Sequence, residues 1–434
     1  MGRHPGSTTL ARILTVVFLL TVLTACLSLG MLKVLNHDEH QFVAPAKLLA
    51  TKGFLPYSGC PYLHTPNLVL VDALVFAFTD YALLSARLLS VASAFTLLVV
   101  LFVVARQCFR EQAPVPRFLI AAGVVLLVLT NPLFHHASGR AWNHDLAMLL
   151  AVLAVVVHCR AAKREKPARL VFLSGLCLGA AIMTRVAFVP LAVPFLGVLF
   201  FFAGPRGKRD RFLSLFVAHG LGLIVAALPG LVVFAMAPAR AWYGNVTYHV
   251  FSVSWRRSVG VLERLTLFER LMYARSLFSE PGNLLVVVGF LGYAWLPAII
   301  QDPRRFTRRF ETTFIWMLVP FLAVVALSPS PTNKQYVYAP IPFLVLGILY
   351  GLASVKREQP ARTWAMRLFA VLVVACCAYW PPAWRLSSET FETKNWYPLQ
   401  AHSIGREIRD RIGSGKVLTL SPIFVLEGGL SIYP

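Results

Sequence analysis

Residues 11–32 read ARILTVVFLLTVLTACLSLGML, an unbroken apolar stretch introduced by Arg3 and Arg12. A secretory leader has the same basic start, and Leu23-Thr24-Ala25-Cys26 has the form of a lipoprotein cleavage box. The apolar core of a leader, however, is only about 7–15 residues. The stretch here is of the length, about 20 residues, that crosses roughly 30 Å of hydrocarbon. It therefore reads as an uncleaved first transmembrane helix. Similar runs recur at 82–105, 117–134, 145–161, 170–184, 187–203, 212–236, 283–300, 312–328, 336–353 and 367–383.

With 57% hydrophobic and 14% charged residues, the 434-residue chain is too apolar to cover a soluble surface. The formal net charge of +22 suggests nucleic acid only until the cations are located. Much of the excess lies in short loops between apolar runs, where Lys and Arg hold a loop on the cytoplasmic side. That pattern excludes nucleic acid as a partner and favours membrane lipids or an anionic lipid-linked substrate. Seven Cys residues form neither a disulfide framework nor a zinc spacing.

One shorter run, 67–79, decides the topology. The loops at 106–117, 160–169, 204–211, 301–310 and 354–367 are all rich in Lys and Arg. They share a side with the N-terminus only if 67–79 does not cross. This run is accordingly read as a juxtamembrane helix. The prediction is an all-α polytopic membrane protein of about eleven transmembrane helices, with a cytoplasmic N-terminus and an external C-terminus. Residues 1–383 form the membrane domain, with external loops at 33–81, 135–144 and 237–282. Residues 384–434 form a small external α/β segment, with a helix over 399–412, a strand over 416–420 and a short helix over 424–427. In a bacterium the membrane would be the plasma (inner) membrane.

The external segments hold the residues capable of chemistry. Acidic residues at the mouth of a span are functional candidates by default, and His37-Asp38-Glu39-His40 stands just outside the first one. On a helix Asp38 and Glu39 point about 100° apart, so one can face a site while the other orients it; helix capping by Asp38 is the alternative. The second external loop runs from Asn131-Pro132 through His135, His136, Arg140 and Trp142 to Asp145, where capping again competes with catalysis. Arg185 lies at a turn between two spans, and Lys334 lies in Pro331-Thr332-Asn333-Lys334-Gln335-Tyr336-Val337-Tyr338. Each suits a phosphate, with snorkelling to the interface as the alternative. His64 is a weaker phosphate candidate, and His249 is a candidate metal ligand or a structural histidine. A divalent cation held through oxygen by Asp38, Glu39 and Asp145 is a further open alternative.

The order of these elements resembles the GT-C glycosyltransferases, in the branch of the protein O-mannosyltransferases and the lipid A aminoarabinose transferases. The resemblance is carried by Asp38-Glu39 after the first span, a Pro-rich loop and Ser85-Ala86-Arg87-Leu88-Leu89-Ser90. Asn131-Pro132 before Asp145, Gly175 to Thr184-Arg185, and Tyr336-Val337-Tyr338-Ala339-Pro340-Ile341-Pro342-Phe343 extend it. It implies a transferase that takes a sugar from a polyprenyl-phosphate donor to a lipid, glycan or protein acceptor at the outer face. The family's loop acid maps to Asp38 and its second-loop acid to Asp145. Where the family often has Lys before the first-loop Pro, this chain has His64-Thr65-Pro66.

The residue chemistry fits an inverting displacement with Asp38 as base and with Arg140, Arg185, Lys334, His64 and Tyr336 around the donor phosphate. The rival reading is a lipid or solute transporter or flippase. Transporters place charges near mid-membrane and often show two similar halves, whereas most spans here lack central acids and the halves do not match.

Overall fold

The computed structural model describes residues 5–203, 208–261, 264–300, 310–355, 360–380 and 388–433. The basic loops expected at 204–211, 301–310 and 354–367 lie partly outside these residues. Among the described residues, seven helical stretches are long and apolar enough to cross a membrane: Ser7–Met31, Ala82–Cys108, His144–Ala161, Arg209–Met236, Phe310–Leu327, Lys334–Ser354 and Pro360–Ala378. Shorter apolar helices cover Asn67–Phe76, Pro114–Leu129, Ala168–Thr184, Val186–Phe200 and Pro281–Tyr293. The eleven expected spans map onto the seven and onto four of the shorter helices. The remaining one, Asn67–Phe76, rises only about 15 Å, half a hydrocarbon thickness, as its juxtamembrane reading requires.

At the centre of the bundle is Ile341–Ser354, buried over almost its whole length. It is enclosed by α4 (Ala82–Cys108), α5 (Pro114–Leu129), Pro281–Ile300 and Phe310–Leu327. The peripheral helices instead turn large apolar side chains outward, among them Val16, Leu20, Val225, Leu228, Val371 and Val374. Water would make such a surface costly; lipid makes it the stable arrangement.

Between hydrocarbon-covered helices there is no hydrophobic drive to associate, and close packing of small residues supplies it. The helices α8 (Ala168–Thr184) and α10 (Lys208–Met236) meet through Gly175, Gly179 and Gly222. A Cβ at Gly175 would lie 2.1 Å from the His219 carbonyl oxygen, and one at Gly222 2.2 Å from that of Phe172.

The predicted tail segment forms with one correction. A helix covers Tyr397–Ile412, and a second covers Pro422–Glu427. The strand is only Lys416–Val417, paired in parallel with an unexpected partner, Ser431–Ile432. That partner is two residues long, so the ladder stops and Leu418 and Leu420 are left exposed. The tail is fastened to α4: the Glu427 carboxylate accepts the Leu83 N–H at 2.6 Å, capping an amide that no helical carbonyl reaches.

Candidate functional site

The loop after the first span begins with a capping box. Asn36 Oδ1 accepts the Asp38 N–H and Glu39 Oε2 accepts the Asn36 N–H, each within 2.9 Å. Glu39 is wholly buried and turned away from solvent. Both its oxygens receive the Arg87 guanidinium at 2.8 Å, and Oε1 also accepts the Ala141 N–H. Arg87, equally buried, spends its remaining donors on the Gly30 and Lys33 carbonyls. Burial alone would push the Glu39 carboxyl up; the Arg87 charge and these hydrogen bonds hold it below its ordinary value. Glu39 therefore joins the first loop, α4 and the second loop, and it leaves its neighbour Asp38 facing outward.

Asp38 lines a cavity of about 510 Å³ built from the loops at one end of the bundle. His64, Trp142, His144, Arg185, His249 and Tyr336 contribute to its wall. Gln41 donates from its side-chain nitrogen to Asp38 Oδ1 at 3.3 Å and accepts from His64 Nε2–H at 2.9 Å. Burial raises the Asp38 pKa above its ordinary value, against the pull of His37 and Arg140. His64 lies against Phe42, and burial lowers its pKa to about 3. It is thus a neutral donor to Gln41 at ordinary pH.

Arg185 is set by its place at the end of α8. Its guanidinium lies 4.8 Å from the Tyr336 ring and is hydrogen-bonded to the imidazole of His144. A second cation was not anticipated. The helix α12 (Tyr248–Ser258) presents Tyr248, His249, Ser252, Val253 and Arg256 to the cavity, a spacing that keeps one helical face. Arg256 Nε is buried without a hydrogen-bond partner among the described residues. That helical periodicity was the available signal.

Three expected site residues stand elsewhere. Asp145, the second residue of α7 (His144–Ala161), is buried outside the cavity lining. Its Oδ2 accepts the Gly139 N–H at 2.8 Å, so it holds the second loop in place. Gly139 has φ +84°, and a Cβ there would meet Gly30 N and the Leu29 carbonyl carbon at 2.7 Å. Lys334 pairs with Glu280 at 3.3 Å, a partner 54 residues away, and does not line the cavity. Arg140 donates to the Val34 carbonyl and stacks 5.2 Å from the Trp142 ring, so it bears on the cavity only through that wall.

No group of three or more His, Cys, Asp or Glu side chains suited to a metal ion occurs among the described residues. Of the expected oxygen triad, Glu39 is taken up by Arg87, and Asp145 Oδ2 accepts the Gly139 N–H. His249 uses Nε2 on the Leu63 carbonyl, 3.2 Å away.

Residues 63–236 match the family model described as dolichyl-phosphate-mannose-protein mannosyltransferase. No curated protein matches the sequence. Among solved structures, ArnT from Cupriavidus metallidurans bound to undecaprenyl phosphate superposes with a TM-score of 0.62 at 13% identity, covering 97% of this chain and 85% of that one. Apo ArnT gives 0.60 at 15% identity, covering 96% and 75%. The archaeal oligosaccharyltransferase AglB from Archaeoglobus fulgidus, in complex with an inhibitory peptide and a dolichol-phosphate, gives 0.52 at 11%, covering 91% of this chain and 58% of that one. Its fold, together with the matched segment 63–236, makes this integral membrane protein resemble the GT-C glycosyltransferases of the protein-mannosyltransferase and ArnT type.

Proposed function

We propose that the protein is an inverting glycosyltransferase that moves a sugar from a polyprenyl-phosphate donor to an acceptor hydroxyl of a lipid, glycan or protein. One observation carries the reading: a single cavity holds the Asp38 carboxylate and the two cations Arg185 and Arg256. The acceptor oxygen attacks the anomeric carbon as its proton passes to Asp38. The bond from that carbon to the phosphate oxygen breaks, and polyprenyl phosphate leaves with the electron pair. Arg185 and Arg256 stabilise the charge gathering on that phosphate. His64, through Gln41, orients the base. The ArnT structure with undecaprenyl phosphate and the AglB structure with a dolichol-phosphate support a lipid-phosphate donor. By the distribution of Lys and Arg, the cavity faces away from the cytoplasm, on the outer face of the plasma membrane in a bacterium, with the N-terminus inside and the C-terminus outside. Residues 1–383 then form the catalytic membrane domain and 384–434 an external appendage.

The test is release of free polyprenyl phosphate from a panel of labelled polyprenyl-phosphate sugars in membranes containing the protein, with lipid extract and protein as acceptors. Turnover is expected for one donor class. Labelled donor that crosses the bilayer intact and is never cleaved would establish the transporter instead. Arg256→Gln is expected to lower kcat/KM for the donor by about 10²-fold, because it removes charge stabilisation without touching the base. An unchanged initial rate would place the leaving phosphate elsewhere.

The reaction's pH dependence follows from the raised Asp38 pKa. Asp38 must be ionised to accept a proton, so kcat/KM is lost as pH falls through that raised value. The acid limb of the profile should lie above the ordinary aspartate midpoint of about 3.9. A limb at or below that midpoint assigns the base to another group.

A further inference from the structure

At the other ends of α4 and α7 lies a second, larger cavity, of about 1110 Å³. From His144 to Arg160, α7 rises about 24 Å, so the two cavities are separated by most of a hydrocarbon thickness. Arg106, Arg110, Arg117, Arg160, Lys163 and Arg164 all line the second one, together with Glu311. Glu311, the carboxylate in that wall among the described residues, is already neutralised by Lys163 at 2.6 Å. Arg160 reaches Gln107 at 2.9 Å, whereas Arg110 and Arg164 are exposed and their side chains have no hydrogen-bond or ion-pair partner among the described residues.

Holding these loops on one side of a membrane requires cations somewhere in them. It does not require six to converge on one concavity, where like charges repel. Arg117 sharpens the point. It stands in the first turn of α5, where the helix dipole disfavours a cation, and its Nε is buried without a hydrogen-bond partner among the described residues. A phosphate in the cavity would relieve the repulsion and supply the missing acceptor. The wall also includes Val103 and Leu170, from two apolar membrane helices, so it is apolar as well as cationic. An anion carrying acyl chains fits both characters, and the volume exceeds what a single phosphate fills.

We propose that this cavity binds a phosphate-bearing anion, and that the headgroup of an anionic membrane phospholipid is its ligand. The site is separate from the Asp38 cavity and does not depend on the proposed reaction.

The test uses the full-length protein in nanodiscs of phosphatidylcholine, with and without cardiolipin as the diphosphate lipid probe, and with soluble pyrophosphate as the lipid-free probe. Native mass spectrometry reads retained lipid, and a thermal-unfolding shift reads either ligand. The wild type is expected to retain cardiolipin in preference to phosphatidylcholine. The double variant Arg110→Gln/Arg164→Gln is expected to bind it about 10–30-fold more weakly. Both side chains are exposed, so the variant keeps the fold, and its unfolding midpoint in phosphatidylcholine alone verifies this. Cardiolipin binding without pyrophosphate binding establishes the lipid headgroup as the source. A pyrophosphate shift that the double variant abolishes establishes the anion site and overturns the lipid as its required source. No preference for either probe, or equal binding by both proteins, overturns the site itself.

Discussion

Replacing Asp38 with Asn is expected to lower kcat for sugar transfer by about 10²–10⁴-fold, the range over which a positioned general base contributes. The exchange is nearly isosteric. Asn keeps an oxygen to accept from the Gln41 side chain, so the Asp38–Gln41–His64 chain and the cavity wall persist. What disappears is the capacity to take the acceptor's proton. The loss should therefore fall on kcat, with the donor KM little changed, because Arg185 and Arg256 hold the phosphate independently. Single-turnover release of polyprenyl phosphate at matched protein levels makes the measurement. Equal rates in both proteins would leave the cavity as a binding site and remove Asp38 as its base.

The Arg87→Met variant should fail for a different reason. The Glu39–Arg87 pair is fully buried on both sides. Removing one partner of such a pair leaves an uncompensated buried charge, at a cost of about 3–5 kcal/mol. Here the Gly30 and Lys33 carbonyls lose their donor as well. A marked drop in the thermal-unfolding midpoint of detergent-purified protein is expected. Adding Glu39→Gln should recover part of it, since the amide is neutral and its one oxygen can still accept from either the Asn36 or the Ala141 N–H. A single variant as stable as the wild type would mean that the two loops are held together by something other than this pair.

These two residues also mark how far the sequence could be read. Spans are legible because bilayer thickness sets a length. Asp38 is legible because a carboxylate at the mouth of a span is costly without a purpose. Its neighbour is not: whether Glu39 or Asp38 faces the cavity depends on Arg87, which lies 48 residues further on. A distant partner also draws Lys334 out of the cavity lining, through Glu280, whereas Asp145 is turned to the nearby Gly139 by the fold of the second loop. Arg256 is not legible from the composition of its loop; only the helical period of α12 marks it. The second tail strand, Ser431–Ile432, is too short to leave a pattern.

The contact between Glu427 and Leu83 joins residues 344 positions apart. At roughly 5–20 residues per second, that interval takes about 20–70 s of synthesis. The helix α4 is thus made, and its Arg87 available to Glu39, long before its own first turn can be capped. During that time the outer ends of the bundle stand with an unsatisfied amide and an uncovered Tyr81, whose ring later meets His402. Completion of this surface is therefore a late event, ordered by the ribosome, and premature termination after the last span, Pro360–Ala378, but before Pro422–Glu427 would yield a chain whose spans are all made but whose Leu83 amide is never capped.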